Sequence, residues 1–332
     1  MIETFSYRDI SLACGRLCGR IVRTPILSSP MLDQAAGCRV IVKAESLQRT
    51  GAFKYRGALN KLLSLPPEVR RNGVLAFSTG NHGHAVAAAA AQAGCPAVIV
   101  LPNNAAAIKI ANCRWWGAEI VLYDPATEDR EEVGRRIAGP RGMVVVPPFD
   151  DYDIIAGQGT AGVELAEQLA EEGIAPDAFL APCSGGGLAA GTITAMKKAY
   201  SDLRCYVVEP AGLEKMAPSI LKGTPQKRPS SGSTLMDGLS GPVAGTKTLG
   251  ILREYGPAGL SVSDDDVLAA MAAAFTFLKL VLEPAGAAAL AAVLSRKDRF
   301  EGKTVTVLCS GGNVDTAVFA LALERLNARL EG

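Results

Sequence analysis

Histidine is nearly missing from this chain: its 332 residues include only two, His82 and His84. A histidine-rich metal centre or a Ser-His-Asp hydrolase therefore has little to build on. Aromatic side chains make up only 5%, while alanine and glycine are abundant, a composition that suits helices packed closely against a sheet. Neither charge dominates, with 34 Lys and Arg against 33 Asp and Glu. That balance excludes the basic field of a nucleic-acid binder and the acidic tail of a solvating segment. No CxxC occurs among the eight scattered cysteines, which are expected to be buried free thiols in a reducing cytoplasm. There is also no unbroken apolar run long enough for a membrane. The most apolar region, 267–294, is interrupted by Lys279, Glu283, Pro284 and Gly286 and reads as buried helices. The first residues, "MIETFSYRDI", lack a cationic stretch followed by an apolar one, so no signal peptide is expected.

What is present is alternation. Apolar, β-branched runs occur at 39–45, 74–79, 97–102, 119–124, 142–149, 178–184, 205–210 and 304–310. Helical stretches at 84–94, 105–117, 159–173 and 188–200 separate several of them. Continuous apolar strands alternating with helices predict parallel sheets buried on both faces. The length predicts roughly two domains, so the fold class is α/β, doubly wound, with mostly parallel sheets. Residues 222–248 are rich in Pro, Gly, Ser and Lys and read as a long loop, which in a compact domain is often functional.

Three strand-to-helix junctions carry glycine with hydroxyl or amide side chains: "FSTGNHG" (77–83), "PCSGGGLAAG" (182–191) and "CSGGNVD" (309–315). Ligands of open α/β sheets bind beyond the carboxyl ends of strands, and helix N-termini offer free N–H groups to anions. Together the junctions suggest a ligand with more than one anionic group. None of these three junctions is GxGxxG or GxxxxGK[ST], so a nicotinamide oxidoreductase and a P-loop enzyme both lack their fingerprints at the strand-to-helix turns where they belong. A fourth stretch, "TGAFKYRGA" (50–58), sets Lys54 directly after Phe53 in a narrow loop. A surface lysine needs no such setting; one that must hold a flat ring does.

This motif set, with "PPFDDYDIIAGQGT" (147–160) and "EPAGAAAL" (283–290), resembles the pyridoxal 5′-phosphate enzymes of fold type II over roughly residues 5–325. It is most similar to the serine/threonine ammonia-lyase (dehydratase) and serine racemase group, because the lysine loop begins "LQRTGAFK". The resemblance implies a tryptophan synthase β-like architecture. A large cofactor-binding domain would comprise 1–72 and 151–332, and a small substrate-binding domain 73–150. It implies that Lys54 holds the cofactor covalently and acts as general base, with Phe53 against one face of the pyridine ring. Ser184, Gly185, Gly186, Gly187 and Leu188 would cradle the phosphate. Asn81 would bond the ring oxygen, and Ser310 would face the ring nitrogen. Ser78, Thr79, Gly80, Asn81 and His82 would take the substrate carboxylate. The reaction implied is β-elimination from a hydroxy amino acid, L-threonine or L-serine, giving ammonia and 2-oxobutanoate or pyruvate. The group further implies a homodimer or homotetramer acting in the cytoplasm on a small amino acid, with no nucleic-acid or membrane partner.

Departures from the pattern mark the open points. Thr79 stands where racemases carry serine, so its hydroxyl could reprotonate the α-carbon; its stiffer, bulkier side chain favours elimination over racemisation. The family's divalent-cation site survives only in part, as Glu209 and the Leu213 carbonyl. Lys215 takes the place of an aspartate and Glu214 beside it points elsewhere, so no metal is expected. Lys215 either replaces the cation by pairing with Glu209 or is a solvated surface lysine. The chain ends straight after its last helix, which leaves no room for a regulatory domain. Alternative substrates are threo-3-hydroxyaspartate, which would want an extra cationic group, and an intermediate of the hydroxyectoine pathway. A non-catalytic amino-acid-binding protein would have no reason to keep Lys54 and Ser310 together.

Overall fold

A computed structural model describes residues 4–78, 80–105, 107–229 and 232–330, with side chains described to residue 324. Thr79, one of the expected catalytic residues, lies outside the described residues.

Ten strands form two sheets among the described residues. They are β1 (Ile26–Leu27), β2 (Arg39–Ala44), β3 (Val74–Phe77), β4 (Ala97–Pro102), β5 (Glu119–Tyr123), β6 (Val144–Val145), β7 (Ala178–Pro182), β8 (Arg204–Pro210), β9 (Ala258–Val262) and β10 (Thr304–Cys309). The larger sheet has the order β1-β2-β10-β7-β8-β9 and the smaller β5-β4-β3-β6. Every pairing is parallel except the short β1 against β2. The inner strands are buried on both faces, as Val40–Ala44, Ala178–Pro182 and Val305–Cys309 show, which is why they read as unbroken apolar runs.

Three differences from the expected elements have plain physical causes. The strand expected over 142–149 shrinks to Val144–Val145, because Pro147 and Pro148 have no N–H to give a ladder. β9 is an additional strand at the sheet edge, AGLSV, with only Val262 buried, so it carries no apolar signature. The apolar stretch after Val262 resolves into the helix Asp264–Ala273, a π turn Ala274–Leu278 and the helix Pro284–Ser295, with Pro284 in its first turn. Five of the eight cysteines are buried; Cys14 and Cys95 are half-buried and Cys18 is exposed, all of them as free thiols. No helix among the described residues is long and apolar enough to cross a membrane.

Low aromatic content shows its use where helices cross. The helix Lys54–Ser64 lies directly on the helix Tyr152–Glu171. A Cβ at Gly157 would stand 2.6 Å from the Gly57 Cα, and one at Gly57 would stand 2.9 Å from the Ile154 carbonyl oxygen. This contact brings the start of the Lys54 helix down onto the larger sheet. The loops after β2, β10 and β7, neighbours in that sheet, meet those after β3 and β6 through Lys54 and Pro148, Asn313 and Asn81, and Gly185 and Phe149.

Candidate active site

The loop after β2 forms the first wall. It is stitched to the loop after β10: the Phe53 N–H donates to the Ser310 carbonyl at 3.0 Å and the Gly312 N–H to the Gly51 carbonyl at 2.9 Å. The Asn313 amide adds a bond to the Thr50 carbonyl at 2.7 Å. Lys54 then opens its helix. Its Nζ reaches across the cleft to donate to the Pro148 carbonyl, just after β6, at 2.5 Å, and stands 5.2 Å from the Phe53 ring centroid. Burial lowers the Lys54 pKa to about 8. A useful fraction of the amine is thus neutral near neutral pH, the form that attacks a carbonyl or takes a proton.

Beyond β7 lies an anion seat. Gly186 caps the helix Gly187–Ala199 with φ +99°, and a Cβ there would stand 2.5 Å from the Met216 methyl carbon. Only glycine meets both demands. The N–H groups of Ser184 through Leu188 donate to no acceptor among the described residues. Unpaired donors gathered at the positive end of a helix suit a phosphate-like dianion. The seat is braced from outside by Thr248, whose hydroxyl donates to the Gly185 carbonyl at 2.6 Å, and by the Gly241 N–H, which donates to Ser184 Oγ at 3.3 Å.

A second helix start follows β3. The Gly80 N–H donates to Ser78 Oγ at 3.1 Å, and the helix Asn81–Ala93 begins beyond it. The His82 ring is already occupied, with Nε2 2.9 Å from the Val146 carbonyl oxygen. Burial, helped by the nearby Lys54 charge, lowers its pKa to about 3, so the ring is a neutral anchor and only its backbone N–H remains for a ligand. Asn81 is fixed from both ends: its amide donates to Glu283 Oε1 at 2.6 Å and its carbonyl accepts from Asn313 at 2.8 Å. Ser310 is buried at the end of β10. The structure thus gathers Phe53, Lys54, Ser78, Gly80, Asn81, His82, Ser184–Leu188 and Ser310 around one cleft. Glu283 and Asn313 were not expected there as site residues; both lay inside quoted motifs, but no local pattern marks a side chain whose partner is 202 or 232 residues away.

Both expectations for Lys215 need correction. It is fully buried, so it is not a solvated surface lysine. Nor does it bond Glu209 directly: its Nζ donates to the Leu239 carbonyl at 2.8 Å, and the two charges only attract across the gap. Glu209 instead accepts the backbone N–H groups of Lys215, Met216 and Ala217 at 2.9, 2.8 and 2.9 Å, capping the helix Met216–Lys222. With its oxygens so used and an ammonium near, Glu209 has little left for a hard cation, which wants several oxygen ligands. Exhaustive treatment with a chelator is expected to leave activity and melting temperature unchanged. Loss of activity restored by magnesium would show a cation site elsewhere.

Comparison with known proteins agrees with this geometry. Residues 17–311 match the family described as pyridoxal-phosphate dependent enzyme. The chain belongs to that family. It is 39% identical over 323 residues to an L-threo-3-hydroxyaspartate ammonia-lyase of Pseudomonas sp, covering 97% of this chain and 100% of the relative. It is 37% identical to a serine racemase of Oryza sativa subsp. indica, covering 93% and 91%. Among solved structures, a T.th. threonine deaminase superposes with a TM-score of 0.88 at 41% identity, covering 93% of this chain and 99% of that one.

The cofactor of this pyridoxal-phosphate enzyme is pyridoxal 5′-phosphate, and the residues present fit it. The unpaired N–H groups of Ser184–Leu188 suit its phosphate, and the amine of Lys54 suits its aldehyde carbon. Glu283 adds a testable property. Burial first, then the Asp237 charge, raise its carboxyl to about 8 against the opposing Asn81 bond and Lys109 charge. Its neutral form is therefore the one the fold prefers. That contribution to stability is complete below the ordinary value of 4.5 and is lost as pH rises toward about 8. Glu283→Gln is expected to flatten the fall in apoprotein melting temperature across that window. An equal slope in both proteins would show that Glu283 is ionised throughout.

Proposed function

We propose that this protein is a β-eliminating ammonia-lyase of small hydroxy amino acids, converting L-threonine or L-serine to 2-oxobutanoate or pyruvate and ammonia. The observation that carries the reading is the convergence on Lys54. One amine bonds to the Pro148 carbonyl. Phe149, next to that carbonyl, packs on Gly185 and Gly187 at the helix start suited to a phosphate. The charge of the amine is felt at His82, at the helix start suited to a carboxylate. Pyridoxal phosphate, when bound, supplies the electron sink for α-proton loss. The chain supplies the rest. Lys54 Nζ takes the α-proton as general base. The backbone N–H groups at the start of the helix Asn81–Ala93, with Ser78, hold the substrate carboxylate. Phe53 and Asn81 would hold the ring in place, and Ser310 would offer a neutral hydroxyl to its nitrogen. The domain division proposed here, 1–72 with 151–332 and 73–150, follows the two sheets. A homodimer in the cytoplasm completes the reading. Free thiols suit that compartment; exposed Met31 and Phe275 lie on elements that pack on one another, and the Phe275 ring meets Phe319 on the helix that carries exposed Leu321.

A second reading has its own support: relatives from Pseudomonas sp and from Saccharomyces cerevisiae, at 39% and 37% identity, are L-threo-3-hydroxyaspartate ammonia-lyases. Measuring 2-oxo acid release by the holoenzyme from L-threonine, L-serine and L-threo-3-hydroxyaspartate tests both. No release from any of them, with D-serine formed from L-serine instead, would replace elimination by racemisation.

A further inference from the structure

A cation on the smaller-sheet side of the molecule has little to hold it. Lys109 belongs to the helix Ala107–Trp115 beside the smaller sheet. Asp237 opens the short 3-10 turn Asp237–Leu239 on the side of the larger one. Lys109 Nζ lies 3.9 Å from Asp237 Oδ2, with the side chains 43% and 76% exposed. At that distance the pair is an ion pair without a hydrogen bond, and an exposed pair of this kind is held weakly.

The pair belongs to the catalytic cleft. A Cβ at Gly238, next to Asp237, would stand 3.2 Å from the Ala285 Cβ, in the first turn of the helix that Glu283 caps. Glu283 in turn accepts the Asn81 amide at 2.6 Å. The charges of both Lys109 and Asp237 are felt at Glu283. Three other cations of the site region are committed. Lys54 is the reactive amine, Lys215 is bonded to the Leu239 carbonyl, and Arg56 is held by Glu45 and Glu164. The three N–H donors of Lys109 have no hydrogen-bond acceptor among the described residues.

Resting on the elimination reading above, we propose that Lys109 is the specificity residue that receives a second carboxylate on the β-carbon of the substrate, exchanging Asp237 for it. The substrate class this selects is a 3-hydroxy dicarboxylic amino acid, of which L-threo-3-hydroxyaspartate is the smallest. Asp237 holds Lys109 when no second carboxylate is present and competes with it when one is. A β-methyl group, as in threonine, leaves the pair undisturbed.

The test uses the holoenzyme with Lys109→Met, Lys109→Arg and Asp237→Asn, all exposed positions where folding is not at stake. Two quantities are read: kcat/KM for L-threo-3-hydroxyaspartate and for L-threonine, and binding of L-aspartate by the change in cofactor absorbance. L-Aspartate has the second carboxylate and no hydroxyl to lose. Lys109→Met is expected to lower kcat/KM for hydroxyaspartate and the affinity for L-aspartate by about 10–100-fold, the worth of one hydrogen bond to a charged group, with threonine changed less than about threefold. Lys109→Arg should keep most of both, and Asp237→Asn should raise both. An equal loss on threonine and hydroxyaspartate, or unchanged L-aspartate affinity in Lys109→Met, overturns the proposal. A wild-type enzyme that turns over threonine while hydroxyaspartate is neither substrate nor inhibitor also overturns it and leaves the elimination reading standing. Activity on no hydroxy amino acid, with L-aspartate affinity still lost in Lys109→Met, overturns the elimination reading and supports the carboxylate site.

Discussion

Lys54→Ala is expected to lose turnover by on the order of 10⁴-fold or more, because one substitution removes both the covalent anchor of the cofactor and the base. The wild-type protein should be yellow, and borohydride should fix the cofactor on Lys54; the variant should bind the cofactor only reversibly and take no label. The pH dependence of reconstitution follows from the lowered pKa of about 8. Only the neutral amine attacks the aldehyde. The rate of cofactor capture by the apoprotein should therefore rise with pH, reach half its limit near 8 and level off above it. An unperturbed lysine would still be climbing at about pH 10. A colourless protein, or a label on another lysine, would sink the assignment of Lys54 and with it the elimination chemistry.

What the sequence made legible is the part of the site built from local rules. Lys54 was singled out because its narrow loop with Phe53 occurs together with the other motifs that resemble a known family. The stretch Ser184–Leu188 was singled out because its glycines stand at a strand-to-helix junction, and the resemblance made it a phosphate seat. β2, β4, β7 and β10 were readable because burial on both faces leaves an unbroken apolar run. What stayed hidden depends on the fold having formed. Glu283 looks like an ordinary residue before a proline; only the approach of Asn81 shows it to be a buried carboxyl in the cleft. Lys215 gave no sign of burial, since lysine is rarely buried and its partner is a backbone carbonyl. β1 has two residues and β9 an exposed edge pattern, so neither offered a period to read.

Arg56, two residues after Lys54, is the other position where a single change should be severe. Its side chain and that of Glu45 are both fully buried. The guanidinium donates to Glu45 through Nε and Nη2, each at 2.8 Å. It also donates to Glu164 through Nη1 at 2.8 Å and Nη2 at 2.7 Å. Glu164 also takes Lys43 at 3.0 Å, and Thr24 donates to Glu45 at 2.5 Å. The network joins the start of the Lys54 helix to the end of β2 and to the helix Tyr152–Glu171. A planar fork serves both carboxylates at once, a geometry lysine cannot reproduce. Arg56→Ala strands the Glu45 carboxylate without its guanidinium and is expected to cost about 3–5 kcal/mol, as for one partner removed from a buried pair. The melting temperature should fall by roughly 6–15 °C at a few degrees per kcal/mol. Arg56→Lys should recover only part of that. Because the same helix carries Lys54 in its first turn, cofactor affinity should weaken in parallel with stability. A fall of less than about 2 °C, with cofactor affinity intact, would mean that the helix is held by its packing on Gly157 alone and that the buried charges are incidental to the site.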